Sequence, residues 1–129
     1  MYCLDSDVVI AHFRGDASIK ERFNSISSRE LFITPITLCE LYRGAFLSSN
    51  LEKNKLLVER LLERANVLNF DLQACEIFGN AYKTLKRSGK LTQDNDLMTA
   101  SICISNNATL VTRNKKHFEN IKGLRVEEW

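Results

Sequence analysis

Short apolar runs alternate along this chain with longer stretches in which apolar residues recur at helical spacing. Tyr2 to Leu4 reads as a short buried strand. Ser6 is placed to cap a helix holding Val8, Val9, Ile10 and Phe13, against the stiffness of its β-branched residues. A polar helix is expected over Ala17 to Ser25, followed by a Ser-rich stretch to Ser28 and the apolar triplet Leu31 to Ile33 as a strand. Thr34-Pro35 is a strong helix start, Thr as cap and Pro at the first helical position. From Pro35 to Phe46 the residues Leu38, Leu41, Tyr42 and Ala45 mark an amphipathic helix, and Asn50 to Ala65 a second. Val67 to Phe70 reads as a strand, and Asp71 as the cap of a helix to about Ser88, with Gly89 as its stop. A helix over Leu97 to Ser105, a strand over Thr109 to Thr112, a short basic segment and a last strand over Leu124 to Val126 complete the pattern.

Short apolar strands alternating with helices imply βα units. The expected fold is a three-layer α/β/α sandwich around a mostly parallel sheet. At 129 residues, with one Pro and five Gly, the chain has no room for a linker and reads as a single domain over 1–129. No apolar run approaches the roughly 20 residues that cross a bilayer. Cys3, Cys39, Cys75 and Cys103 are scattered without a Cys-x-x-Cys pair, which argues against a zinc site. Each sits among apolar residues, where a free thiol packs as a small hydrophobe, although the even count leaves pairing open. With no secretory signal pattern, the cytoplasm is the expected compartment. A formal charge of +2 permits a local basic patch without announcing one.

Candidate chemistry rests on acids far apart in sequence. Asp5 ends the first strand, with Asp7 two residues on; ligands of open parallel sheets gather beyond such strand ends. Both also suit the first turn of a helix. Glu40 lies at the border of an apolar stripe, where a carboxylate needs a partner or a metal; a surface pair with Arg43 is the plainer alternative. Asp94 and Asp96 both open a helix, one as cap and one as functional group, and spacing leaves open which. Clustered carboxylates are hard ligands for Mg²⁺ or Mn²⁺. Thr112 leaves its strand at the same end. Arg113, Lys115 and Lys116 form the densest basic cluster and suit phosphate contacts as well as a solvated face. His12 and His117 invite a general-base role, since histidine as a residue type titrates near neutrality, but neither has a triad-like setting.

Four segments in order resemble the motifs of the PIN domain, and more narrowly of VapC-type toxins: Leu4-Asp5-Ser6-Asp7, Glu40-Leu41-Tyr42-Arg43-Gly44-Ala45, Asp96-Leu97-Met98-Thr99-Ala100 and Leu110-Val111-Thr112-Arg113-Asn114. The closing Gly123 to Trp129 fits the same pattern. The resemblance implies a metal-dependent endoribonuclease, the toxin of a toxin–antitoxin pair, acting on RNA, silenced by a cognate antitoxin and dimeric. It places Asp5, Glu40 and Asp96 as the catalytic, metal-holding acids on Mg²⁺ or Mn²⁺, and favours Asp96 over Asp94 because the family acid directly precedes the Leu-x-x-Ala stretch. Asp7, Thr112 and Asn114 are auxiliary. Where many relatives carry a fourth Asp, this chain has Asn114 and His117, so a second ion is less expected than the first. The Leu-rich stretch Leu51 to Leu62, apolar on more than one side, points to self-association. The alternatives are a stand-alone RNA-maturation nuclease and a degenerate binding domain. A phospho-receiver is disfavoured, since the only Pro is Pro35 and no Lys-Pro follows a late strand.

Overall fold

Five short parallel strands run through the middle of the protein in the order β3-β2-β1-β4-β5, in a computed structural model that describes residues 1–129. They are β1 (Tyr2–Leu4), β2 (Leu31–Ile33), β3 (Asn66–Val67), β4 (Thr109–Val111) and β5 (Arg125–Glu127). Six α-helices connect them: α1 (Ser6–Phe13), α2 (Ala17–Ser25), α3 (Pro35–Leu47), α4 (Leu51–Leu62), α5 (Leu72–Arg87) and α6 (Asp94–Ser105). The expected sandwich is present. Alternation along the strands divides it into two cores. Cys3 and Leu110 face a cluster with Leu85, Leu97, Ala100 and Cys103 from α5 and α6. Leu4, Leu31, Ile33 and Val111 face the other way, onto Val8, Ile19, Leu41 and Val58 from the first four helices.

Strand order grows outward from β1 through β2 to β3, then reverses so that β4 lies on the other side of β1. The carboxyl ends of β1 and β4 therefore flank the switch point where α/β folds place ligands. Asp5 and Thr112 are the residues that leave these two strands.

The caps expected at Thr34 and Asp71 are made, and Asn50, expected inside α4, caps it instead; each side chain accepts from the backbone N–H three residues on. Gly89, at φ 68°, takes the left-handed conformation past the end of α5. Several expectations need correction. Asp5, not Ser6, caps α1. Helix α4 stops at Leu62 rather than Ala65. The strand expected over Val67 to Phe70 is the two-residue Asn66–Val67, because Leu68 turns into the α5–α6 core. Helix α6 starts at Asp94, three residues before Leu97, and Gln93 is its N-cap, so neither Asp94 nor Asp96 has that role. Cys3 and Cys103 are buried, but Cys39 and Cys75 lie on the surface, and all four are free thiols. No helix is long and apolar enough to cross a membrane.

Candidate active site at the switch point

Asp5 is the most constrained acid. Its backbone N–H donates to the Val111 carbonyl at 2.9 Å, continuing the β1–β4 ladder by one step. The side chain, 9% exposed, accepts from Ser6 N–H at 2.8 Å and from the Thr112 hydroxyl at 2.9 Å. Asp7, on the first turn of α1, accepts from the Arg113 N–H at 2.9 Å through Oδ2, which also lies 3.2 Å from the Thr112 hydroxyl. Thr112 Oγ1 accepts in turn from Asn114 N–H at 3.1 Å. One fully buried hydroxyl thus joins the ends of β1, α1 and β4.

Asp96 reaches this mouth from α6, while Asp94 stays exposed. His117 Nδ1 lies 3.0 Å from Asp96 Oδ2, and Asn114 Nδ2 lies 3.0 Å from the His117 ring. Asn95 donates to Glu40 across a longer 3.4 Å. Burial pushes the Asp5 carboxyl up to about 6, with the Thr112 hydrogen bond opposing and the charges of Asp7 and Asp96 adding to the rise. Burial also raises Asp96; the His117 contact opposes, while Glu40 and Asp7 push further up. Asp5 and Asp96 are thus the two acids whose protonated form this end of the sheet favours.

Their donor set, all carboxylate oxygen with an amide and a hydroxyl nearby, suits a hard divalent cation. Asp7 Oδ1 is buried and has no hydrogen-bond partner, an oxygen left free for a cation. No three of these acids stand close enough in this arrangement to share one ion. Asp96 and Glu40 are instead engaged by His117 and Asn95.

Two contacts escape sequence reading. Motif order put His117 at a fourth-acid position, but not its ring against Asp96. Arg113, grouped by sequence with Lys115 and Lys116 as a phosphate contact, spends its guanidinium on Asp16 at 2.7 Å and on the Trp129 carbonyl at 3.4 Å. The same contact holds the Asp16 carboxyl well below the usual range. Lys115 faces Glu128 at 3.5 Å, which leaves Lys116 as the cation of this cluster without an ion pair.

The sequence matches the PIN domain family over residues 2–124. It is 36% identical over 131 aligned residues to Ribonuclease VapC1 of Haemophilus influenzae, spanning all of this chain and 98% of that protein. This chain belongs to the PIN-domain family, in its VapC branch. It is likewise 36% identical to the tRNA(fMet)-specific endonuclease VapC of Salmonella typhimurium, over 99% of this chain and 97% of the relative. Solved VapC-branch structures superpose along nearly the full chain. DNA-bound VapBC from Salmonella typhimurium matches with a TM-score of 0.92 at 36% identity, covering 99% of this chain and 97% of that one. VapBC2 from Rickettsia felis, bound to a promoter DNA fragment, matches with a TM-score of 0.92 at 29% identity, over 99% and 98%.

Proposed function

We propose that this protein is the toxin endoribonuclease of a toxin–antitoxin pair and hydrolyses RNA phosphodiester bonds at the switch-point mouth. The observation that carries the reading is the placement of Asp5 and Asp7 on the Thr112 hydroxyl at the one place where strand order reverses, in a VapC-branch chain. Asp5, Glu40 and Asp96 would hold a Mg²⁺ or Mn²⁺ ion once Glu40 and Asp96 turn from their present partners, with Asp7 Oδ1 as a further oxygen. Such a cation would supply Lewis acidity, activating water and offsetting charge on the phosphoryl oxygens.

The chain's own residues prepare that mouth. Ser6 N–H and the Thr112 hydroxyl fix both oxygens of Asp5, so its carboxylate does not reorganise during the reaction. His117 and Asn114 hold Asp96 from the β4 side, where a fourth acid is absent. Asn114 brings no charge, which supports one tightly held ion rather than two. Lys116 is free to meet the RNA backbone; Arg113 and Lys115 do so only by exchanging their present carboxylates.

The partner is a cognate antitoxin. A groove of about 530 Å³ between α1, α3 and α4 carries Ile10, Leu41 and Leu57 on its walls and Glu40 on its rim, an apolar seat that ends at the acidic mouth. An antitoxin segment laid there places an Arg against the acids, competing with the cation for the same oxygens. Self-association uses α4, whose Leu56 and Leu62 remain 44% and 36% exposed. Expression of the chain alone is expected to arrest growth, and co-expression of the antitoxin to relieve it. Purified protein is expected to cleave RNA, to stop with EDTA and to recover with excess Mg²⁺ or Mn²⁺. A harmless chain without metal-supported RNA cleavage overturns the reading.

A further inference from the structure

At the far end of α1 from Asp5, a second cavity of about 480 Å³ opens between α1, α2 and α4. His12, Lys20, Arg60 and Arg64 line it, and no acidic residue does. None of these four enters a salt bridge. Like charges brought together without counter-ions repel, and such a cluster is stable only at a cost that a bound anion removes.

Two of the basic groups are held in place. The His12 ring stacks on Phe23 with centroids 4.3 Å apart, and the Arg64 guanidinium lies 5.3 Å from the same ring. Arg64 Nη2 also makes long contacts to the Phe23 and Ile26 carbonyls, at 3.5 and 3.4 Å. Yet Arg64 Nε is buried without an acceptor, and so is His12 Nδ1 without any partner. Only one other side-chain atom in the protein shares that condition, Asp7 Oδ1 in the acidic mouth. His12, Lys20, Arg60 and Arg64 thus share the lining of one space.

We propose that this cavity binds a phosphoryl group, carried either by the backbone of the RNA substrate or by a free phosphate compound. Two guanidinium groups, an ammonium and an imidazole converging on one space match several oxygens on a single phosphorus atom. Spaced carboxylates of an acidic peptide fit that convergence less well. The RNA form rests on the ribonuclease reading; the free-phosphate form does not. Bound RNA would then be gripped at two places, by the mouth and by the opposite end of α1.

The test uses the full chain carrying Asp96→Asn, so that RNA is retained uncleaved, with and without the exposed pair Lys20→Gln and Arg60→Gln. Inorganic phosphate, followed by nuclear magnetic resonance, is expected to shift His12 and Asn24 saturably in the parent. The neutral pair should lose that saturation, and the charge-keeping pair Lys20→Arg and Arg60→Lys should keep it. For a labelled RNA oligonucleotide, the neutral pair should bind more weakly, with a salt-dependence slope smaller by about 1 for each RNA phosphate that is no longer neutralised. Saturable phosphate binding with unchanged RNA affinity assigns the site to a free phosphate compound. No saturable shift together with unchanged RNA affinity overturns the proposal. So does a neutral pair that weakens only the binding of polyglutamate. Failure of the ribonuclease reading is separate: it shows as absent cleavage by the chain with intact acids, while the phosphate titration still reads this cavity.

Discussion

The Thr112 hydroxyl donates to Asp5 Oδ2 at 2.9 Å across a sequence separation of 107 residues, and both groups are buried. A hydrogen bond to a charged acceptor is worth about 1.5–3 kcal/mol, and more is lost when the acceptor stays buried alone. Thr112→Val keeps the shape and removes the donor. It is expected to destabilise the protein by about 1–3 kcal/mol at neutral pH, to push the Asp5 carboxyl above its present value of about 6, and to slow RNA cleavage. Urea denaturation and a carboxyl titration check this; unchanged stability would show the hydroxyl to be a bystander.

Asp5 also sets a pH dependence. Its folded pKa of about 6 lies above the ordinary 3.8, so the folded state binds more protons than the unfolded one between these values. Stability from this group is full below about pH 4 and falls as pH rises to about 6, by at most about 3 kcal/mol. Asp96 acts in the same direction. His12, lowered from 6.5 mainly by burial, acts oppositely, and Asp16 matters only at pH values below the ordinary carboxylate range. Comparison with Asp5→Asn isolates the Asp5 share: the variant should gain on the parent as pH rises from 4 to 7. A constant difference across that range contradicts the assignment.

Charge at Asp96 is expected to matter more than any other property there. Asp96→Asn should abolish turnover, by three orders of magnitude or so if the charge stabilises the transition state. Its circular dichroism and melting should match the parent. Asn114→Ala forfeits a neutral contact to His117 and should cost about tenfold at most, of the order of one neutral hydrogen bond. Full cleavage by Asp96→Asn in Mg²⁺ would remove this acid from the mechanism.

On α4, Leu56→Glu places a charge on an exposed apolar position and touches neither the core nor the mouth. Sedimentation at micromolar concentration is expected to give the mass of two chains for the parent and one for the variant. A monomeric parent dismisses α4 as the contact face.

The sandwich was legible because its strands are short apolar runs and its helices are announced by signals such as Thr34-Pro35 and Asp71. Element ends were less so. Ser6 and Asp5 are both good caps, and the choice fell to Asp5 because its backbone is still extended at the end of the β1–β4 ladder. Motif order singled out the acids proposed for the site, but not the side chains that contact them. Arg113 looks like an RNA contact in sequence, and only folding brings Asp16 within 2.7 Å of it. His117 sits among lysines in sequence, and its use on Asp96 depends on how η1 (Lys115–His117) follows β4.

Because Thr112 and Arg113 N–H hold Asp5 and Asp7 from the far end of the chain, having the acids is not the same as having the mouth. Asp5, Glu40 and Asp96 are all present once α6 is made, yet a chain ending there lacks the donors that orient the first strand's carboxylates. Contacts this distant in sequence close late in folding, after local helices have formed. On the proposed assignment, nuclease activity is expected only from the completed sheet, and a partly folded chain would carry the hazardous residues without the hazard.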